Sequence, residues 1–181
     1  VTIGESSARQ MLNGGHPNSK IRVGGAIQMQ GLQTMRTRPT GPPDGDGPTI
    51  LITPSNGPEE AAELVYMAAN LFSEDDGIKV VLKCHPLTPF HMINFAVGDG
   101  LPAHVELSDQ PVTDLMLQST MMVYSGSTVG IQALTLGLPL VHLRPQFDLD
   151  LDPLETVPEA RLEASGLEEL REKVLWLLAN R

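Results

Sequence analysis

The chain has 181 residues, room for one domain or one and a fraction, and a chain of that size buries roughly 70% of its unfolded surface. It therefore needs no disulfide scaffold to hold a core. Lys plus Arg total 12 against 22 Asp plus Glu, a formal charge of -10 that opposes docking on nucleic acid or an anionic bilayer, and 4% aromatic content is low for a base-stacking protein.

The single cysteine, Cys84, has no internal partner and lies in an apolar run, as expected in a reducing, cytoplasmic compartment. Leu115 to Leu143 carries no Asp, Glu, Lys or Arg. However, Ser125, Gly126, Ser127, Gly130, Gly137 and Pro139 would interrupt a membrane-spanning helix and suit a buried strand, turn, helix, turn and strand. Val1 to Arg9 reads as a sequence already under way, so a fragment of a longer protein is expected.

In chain order, Glu5 to Leu12 has weak helical character, with Ser6 or Ser7 as cap and Asn13-Gly14-Gly15 as stop, and Lys20 to Val23 suits a short strand. Residues 1–33 form a segment leading into the main domain. Residues 34–48 crowd Pro39, Gly41, Pro42, Pro43, Gly45, Gly47 and Pro48 into a surface loop, and 49–181 form the compact domain.

Thr49 to Thr53 is the first strand of that domain. Ser55-Asn56-Gly57-Pro58 then turns into a helix whose first turn carries Glu59 and Glu60, favourable at its dipole, and Ala61, Leu64, Val65, Ala68, Leu71 and Phe72 repeat at helical spacing up to Gly77. Further strands are expected at Ile78 to Leu82, His104 to Leu107, Met121 to Tyr124 and Leu140 to Leu143. Helices are expected near Pro111 to Gln118 and Val129 to Leu136, and a last one carries the stripe Leu167, Leu170, Val174, Leu177 and Leu178. Apolar strands alternating with helices imply an α/β, doubly wound, mostly parallel sheet with helices on both faces, a Rossmann-like arrangement.

Such sheets bind ligands beyond the carboxyl ends of their strands. Two motifs fall there. Tyr124-Ser125-Gly126-Ser127-Thr128-Val129-Gly130 follows a strand and opens a helix, so amides, hydroxyls and the helix dipole suit a phosphate. It has neither Walker nor dinucleotide glycine spacing, and plain capping by Ser127 or Thr128 explains it equally. Lys83-Cys84-His85-Pro86 holds His85 extended before proline, with Lys83 and His85 on one face and Cys84 on the other; a loop-bonded histidine beside a solvated lysine is the bland alternative.

Taken together the motifs resemble the nucleotide-sugar half of a GT-B glycosyltransferase. Ser125-Gly126-Ser127-Thr128 and then Gln132-Ala-Leu-Thr-Leu-Gly-Leu-Pro139 look like that fold's phosphate turn, donor helix and following Gly-x-Pro. Lys83-x-His85-Pro86 is similar to the His-Pro motif of bacterial polysialyltransferases and of the glycerophosphate polymerases that build teichoic acids. Gly15 to Gly24 resembles the crossover between the two halves of such enzymes.

The resemblance implies a donor-binding domain acting in surface or capsule polysaccharide synthesis. It would take a CMP-, CDP- or UDP-linked sugar, need no metal or other cofactor, and meet its glycan acceptor and general base in a separate amino-terminal domain. His85 and Lys83 would be the catalytic, charge-stabilising groups; Ser55, Asn56, Gly57, Ser125, Gly126, Ser127, Thr128, Gln132 and Arg144 would bind the nucleotide. At Gln132 the chain departs from the glutamate that holds the donor ribose in many GT-B enzymes, which leaves the ribose contact and the nucleotide open.

Arg144 can pair with a phosphate or a sugar carboxylate, or bridge to Asp148 or Asp150. The run Asp148 to Asp152 imitates a calcium loop poorly and reads as a solvated loop, and Met116, Met121 and Met122 read as core filling. Two rivals stand beside this reading: a UDP-N-acetylglucosamine 2-epimerase-like enzyme and a non-catalytic, flavodoxin-like scaffold.

Overall fold

The structure, a computed structural model, describes residues 4–25, 29–35, 47–146 and 150–180. Contacts divide it into two compact units, Val1–Thr37 and Arg38–Arg181. The first unit holds α1 (Glu5–Asn13) and α2 (Gln30–Met35). α1 is capped by Gly4 without a side-chain bond, so neither Ser6 nor Ser7 is its cap, and it ends at Gly14 with Gly15 at φ +85. The strand expected from Lys20 to Val23 does not form: Asn18–Lys20 is a single 3-10 turn entered from Pro17, and of the expected strand only Val23 makes a bridge.

The second unit is one parallel sheet of six strands in the order β3-β2-β1-β4-β5-β6. These are β1 (Thr49–Thr53), β2 (Lys79–Leu82), β3 (Val105–Leu107), β4 (Met121–Tyr124), β5 (Leu140–Leu143) and β6 (Leu162–Ala164). Every pairing is parallel, so the sheet is wholly, not mostly, parallel. β6 escapes sequence reading because it is a three-residue edge strand with Glu163 at its centre, too short to show a period.

Burial explains the strands. All five residues of β1 and all four of β4 and β5 are buried, as a strand covered on both faces requires. On one face Ile50, Ile52, Val80, Leu82, Val141 and Leu143 join a core with Leu64, Val65 and Ala68 of α3 (Pro58–Asn70) and with Leu170 and Val174 of α7 (Leu167–Ala179). On the other, α5 (Val112–Gln118) and α6 (Val129–Leu136) cover β1, β4 and β5; Met121 belongs to the first core, and Met116, Met121 and Met122 are all fully buried.

α3 begins as expected, with Gly57 as cap and Pro58 in its first turn. It stops at Asn70, not at Gly77. Between them Ser73 and Asp76 form a reciprocal capping box on a separate 3-10 turn, closed by left-handed Gly77. A short helix α4 (Phe90–Ile93) and a 3-10 turn at Asn94–Val97 follow β2.

The order in which strands are laid down reverses between β1 and β4, which come from separate parts of the sequence yet pair in parallel from Ile50↔Met121 to Thr53↔Tyr124. The crevice beyond their carboxyl ends is the switch point at which such sheets receive ligands.

Candidate functional site

Three loops meet around that crevice, and side-chain bonds tie them together. After β1, the Ser55 hydroxyl lies 3.3 Å from both Asn56 Oδ1 and Gly126 O, which joins the β1 loop to the β4 loop. Thr88 Oγ1, three residues past His85, donates to Asn56 O at 2.7 Å, which joins the β2 loop to the β1 loop. Of the residues proposed from sequence, Ser55 to Gly57, Lys83, His85 and Ser125 to Thr128 thus lie on three segments joined through the β1 loop.

Beneath them sits Glu60, in the first turn of α3 and only 5% exposed. Its Oε1 accepts from Ser55 N at 3.0 Å and from the Ser125 hydroxyl, so one carboxylate holds both sides of the switch point. Sequence reading gave Glu60 only a helix-dipole role. A glutamate in a first turn is favourable there in any helix, and nothing local marks one that also reaches across to β4.

In the β4 turn, Ser125 is fully buried and its hydroxyl engaged by Glu60, so it serves as a fastening. Ser127 is half-buried and Thr128 exposed. Helix α6 carries no side-chain cap: Ser127 Oγ is 3.5 Å from Val129 N, at the outer limit of a hydrogen bond. Capping by a side chain therefore explains this motif weakly; the amides of Ser127, Gly130 and Ile131 donate within the turn, and the Ser127 and Thr128 hydroxyls stand at a helix amino end, an arrangement suited to an anion.

Two glycines of the turn are fixed by packing. A Cβ at Gly126 would lie 3.2 Å from Leu151 Cβ, and one at Gly130 would lie 2.6 Å from Tyr124 Cε2. Gly130 is required because the Tyr124 ring underlies the first turn of α6.

After β2, Lys83 N still donates to Ile52 O, so the strand continues in effect to the motif. Cys84 packs against the core face, and burial pushes its thiol up to about 11, an unreactive state at neutral pH. His85 is half-buried, and its Nδ1 accepts from Leu87 N at 3.2 Å. With Nδ1 used as an acceptor, the neutral ring carries its proton on Nε2 and presents a donor. Lys83, also half-buried, makes no ion pair among the described residues.

The edge over β5 and β6 behaves differently. Arg144 lies 3.1 Å from Glu163 and 3.6 Å from Asp150, so its guanidinium is met by protein carboxylates, the surface bridge foreseen as its alternative; Asp148, the other partner considered, lies outside the described residues. Asp152 corrects the expectation of a solvated acidic loop. It is 8% exposed, accepts from Tyr124 OH at 2.8 Å and from Leu154 N at 3.0 Å, and pairs with buried Arg161.

Burial works to raise the Asp152 pKa, but the bonds from Leu154 N, Tyr124 and Arg161 outweigh it and hold the carboxyl below its usual range. The same burial, then Asp152, pushes the Tyr124 phenol above its ordinary value. His142 is fully buried, its ring centroid 5.4 Å from that of Tyr124 and its Nε2 3.2 Å from Asp150. Burial holds its pKa down against the pull of Asp152 and Asp150. No group of three or more His, Cys, Asp or Glu suited to a metal occurs among the described residues.

Comparison with solved structures agrees with this topology. Methanocaldococcus jannaschii UDP-GlcNAc 2-epimerase, solved with UDP-GlcNAc and UDP, superposes with a TM-score of 0.66 at 15% identity, over 99% of this chain and 54% of that one. S. aureus MnaA, in a co-structure with UDP, gives 0.69 at 13% identity, over 98% and 50%. The calicheamicin glycosyltransferase gives 0.56 at 22% identity, over 78% and 37%. The chain has a Rossmann-like fold of the GT-B type. It spans about half the length of the first two structures and less of the third. No protein-family model and no curated protein matches the sequence.

On this GT-B-type sheet, Ser55, Asn56, Gly57, Lys83, His85 and Ser125 to Thr128 all follow β1, β2 or β4 around the crevice, and Gln132 is half-buried in α6. Gly57 is the α3 cap, and its carbonyl accepts from Ala61 N. Arg144 stands apart, after β5 and among acids.

Proposed function

We propose that this domain holds the phosphate of a nucleotide-activated sugar, as the donor half of a glycosyltransferase acting in surface polysaccharide synthesis. The observation that carries the reading is the crevice fastening: Ser55 to Gly126 and Thr88 to Asn56 bring the His85 loop and the Ser127 turn to one switch point. His85 Nε2–H, the Lys83 ammonium, the hydroxyls of Ser127 and Thr128 and the Thr128 amide would there meet the negative charge that grows on a departing phosphate. That is electrostatic stabilisation by donors already in place, and Ser55, Ser125 and Glu60 act as the frame behind them.

A nucleotide-sugar epimerase is the second reading. It is suggested by the likeness to the epimerase structure, which covers 99% of this chain.

Calorimetric titration of UDP, CDP and CMP tests the proposal. Binding of at least one is expected, and His85→Ala should weaken it by about tenfold to a hundredfold, the usual worth of a hydrogen bond to a charged group. Conversion of UDP-GlcNAc to its 2-epimer would shift the reading to the epimerase. Silence from all three nucleotides would leave the scaffold reading.

A further inference from the structure

The β4 turn from Ser125 to Gly130 holds two glycines and opens a helix without a side-chain cap, so its shape depends on what abuts it. On the β1 side Glu60 and Ser55 supply part of that support. On the other side each glycine has one neighbour. Leu151 lies against Gly126, where an added Cβ would stand 3.2 Å from its Cβ and 3.6 Å from its backbone. At Gly130 an added Cβ would fall within 3.1 Å of three Tyr124 ring carbons.

Both neighbours are held by Asp152. It follows Leu151 directly, and its N–H donates to Asp150 Oδ1 at 3.2 Å. Its own Oδ1 accepts from Leu154 N at 3.0 Å and from Tyr124 OH at 2.8 Å, while Oδ2 faces the buried guanidinium of Arg161, the residue before β6. One carboxylate therefore ties the loop against Gly126, the ring under Gly130 and the entry to the edge strand. Tyr124 is fully buried, so its hydroxyl has no water to replace a lost acceptor. An unsatisfied buried hydroxyl is costly, which drives the ring to tilt, and Gly130 rests on that ring.

We infer that Asp152 is a positioning residue for the β4 turn: through Tyr124 and Leu151 it sets where Ser127 and Thr128 stand, while its own oxygens stay engaged within the protein. The inference rests on the reading of this turn as a phosphate site. Donors stabilise a growing charge best when they are fixed before it arrives, so loosening the turn weakens the anion without removing any group that touches it.

The turn can be followed without a ligand. Gly130 N–H donates to Ser127 O at 3.1 Å, and Val80 N–H, donating to His104 O at 3.1 Å in the sheet, serves as the reference for global opening. Amide exchange measured by NMR in three variants separates positioning from stability. Asp152→Ala removes the acceptor of Tyr124 OH, and Tyr124→Phe removes the hydroxyl but keeps the ring. Asp152→Asn keeps an oxygen for Tyr124 and drops the charge that Arg161 pairs with. Exchange at Gly130 relative to Val80 should speed about tenfold in the first two and stay within about twofold of wild type in the third. UDP affinity, measured where each variant is folded, should weaken about tenfold in the first two and hold in the third. Should Asp152→Ala not fold, Tyr124→Phe carries both readings. An unchanged exchange ratio in Asp152→Ala or Tyr124→Phe, an Asp152→Asn turn as loose as that of Asp152→Ala, or wild-type UDP affinity beside a loosened turn would each overturn the inference. If the wild type binds none of UDP, CDP and CMP, the nucleotide reading fails, and the exchange ratio alone decides whether Asp152 holds the turn.

Discussion

Over β1, β2 and β4 the loops leave His85, Lys83 and Ser127 half-buried at a crevice, whereas over β5 and β6 Tyr124, His142, Asp152 and Arg161 are enclosed and face one another. Both stretches belong to one sheet edge and carry similar residue types. What separates them is whether a counter-charge is already present. Arg144 has Glu163 and Asp150 beside it; Lys83 has no such partner among the described residues. Free donors mark the edge fit to meet an anion, and paired ones mark the edge that anchors the fold.

The strongest attempt to break that division is Asp152→Ala. It would leave the Arg161 guanidinium, 6% exposed, without its buried partner, and Tyr124 OH without an acceptor. A loss of about 3–5 kcal/mol in urea unfolding is expected. A loss below about 1 kcal/mol would show that the cluster is surface-like.

A pH series sharpens the division next. The folded-state pKa of His142 is lowered, so the unfolded chain takes up this proton first, and stability falls as pH drops through the ordinary histidine range near 6.5. The slope contributed by this residue can reach about 1.4 kcal/mol per pH unit, and His142→Gln should flatten the curve between about pH 7 and 5. An unchanged slope would assign the titration to another group. The lowered Asp152 pKa works in a separate window: its stabilisation is present above about pH 4 and is lost as pH falls through the folded value.

Arg144→Ala gives the smallest effect. With 56% of its side chain exposed, the pairs it makes should contribute under about 1 kcal/mol, and nucleotide affinity should stay as in the wild type. A tenfold loss of nucleotide binding would move Arg144 to the ligand side of the division.

Strands β1, β4 and β5 and helix α6 were legible to the residue, because unbroken apolar runs end at Gly, Pro and Ser. β6 was not, since three edge residues hold no period. At the candidate site, the placement of the loops after β1, β2 and β4 could be read from the strand pattern. Three details depend on contacts between distant segments and leave no local trace: Glu60 reaching Ser125, the Tyr124 ring that fixes Gly130, and Asp152 receiving Tyr124. Ser125 misled in the same way. A buried and an open hydroxyl look identical in a sequence.

The pairing of Ile50 with Met121 also bears on biosynthesis. The central strand cannot be flanked on both sides until Met121 to Tyr124 has been made, and closing so long a loop is slow compared with forming the local β1, α3 and β2 unit. A nascent chain paused before residue 121 therefore exposes one side of β1 as an open edge, prone to sticking, and is the stage at which a chaperone has most to protect.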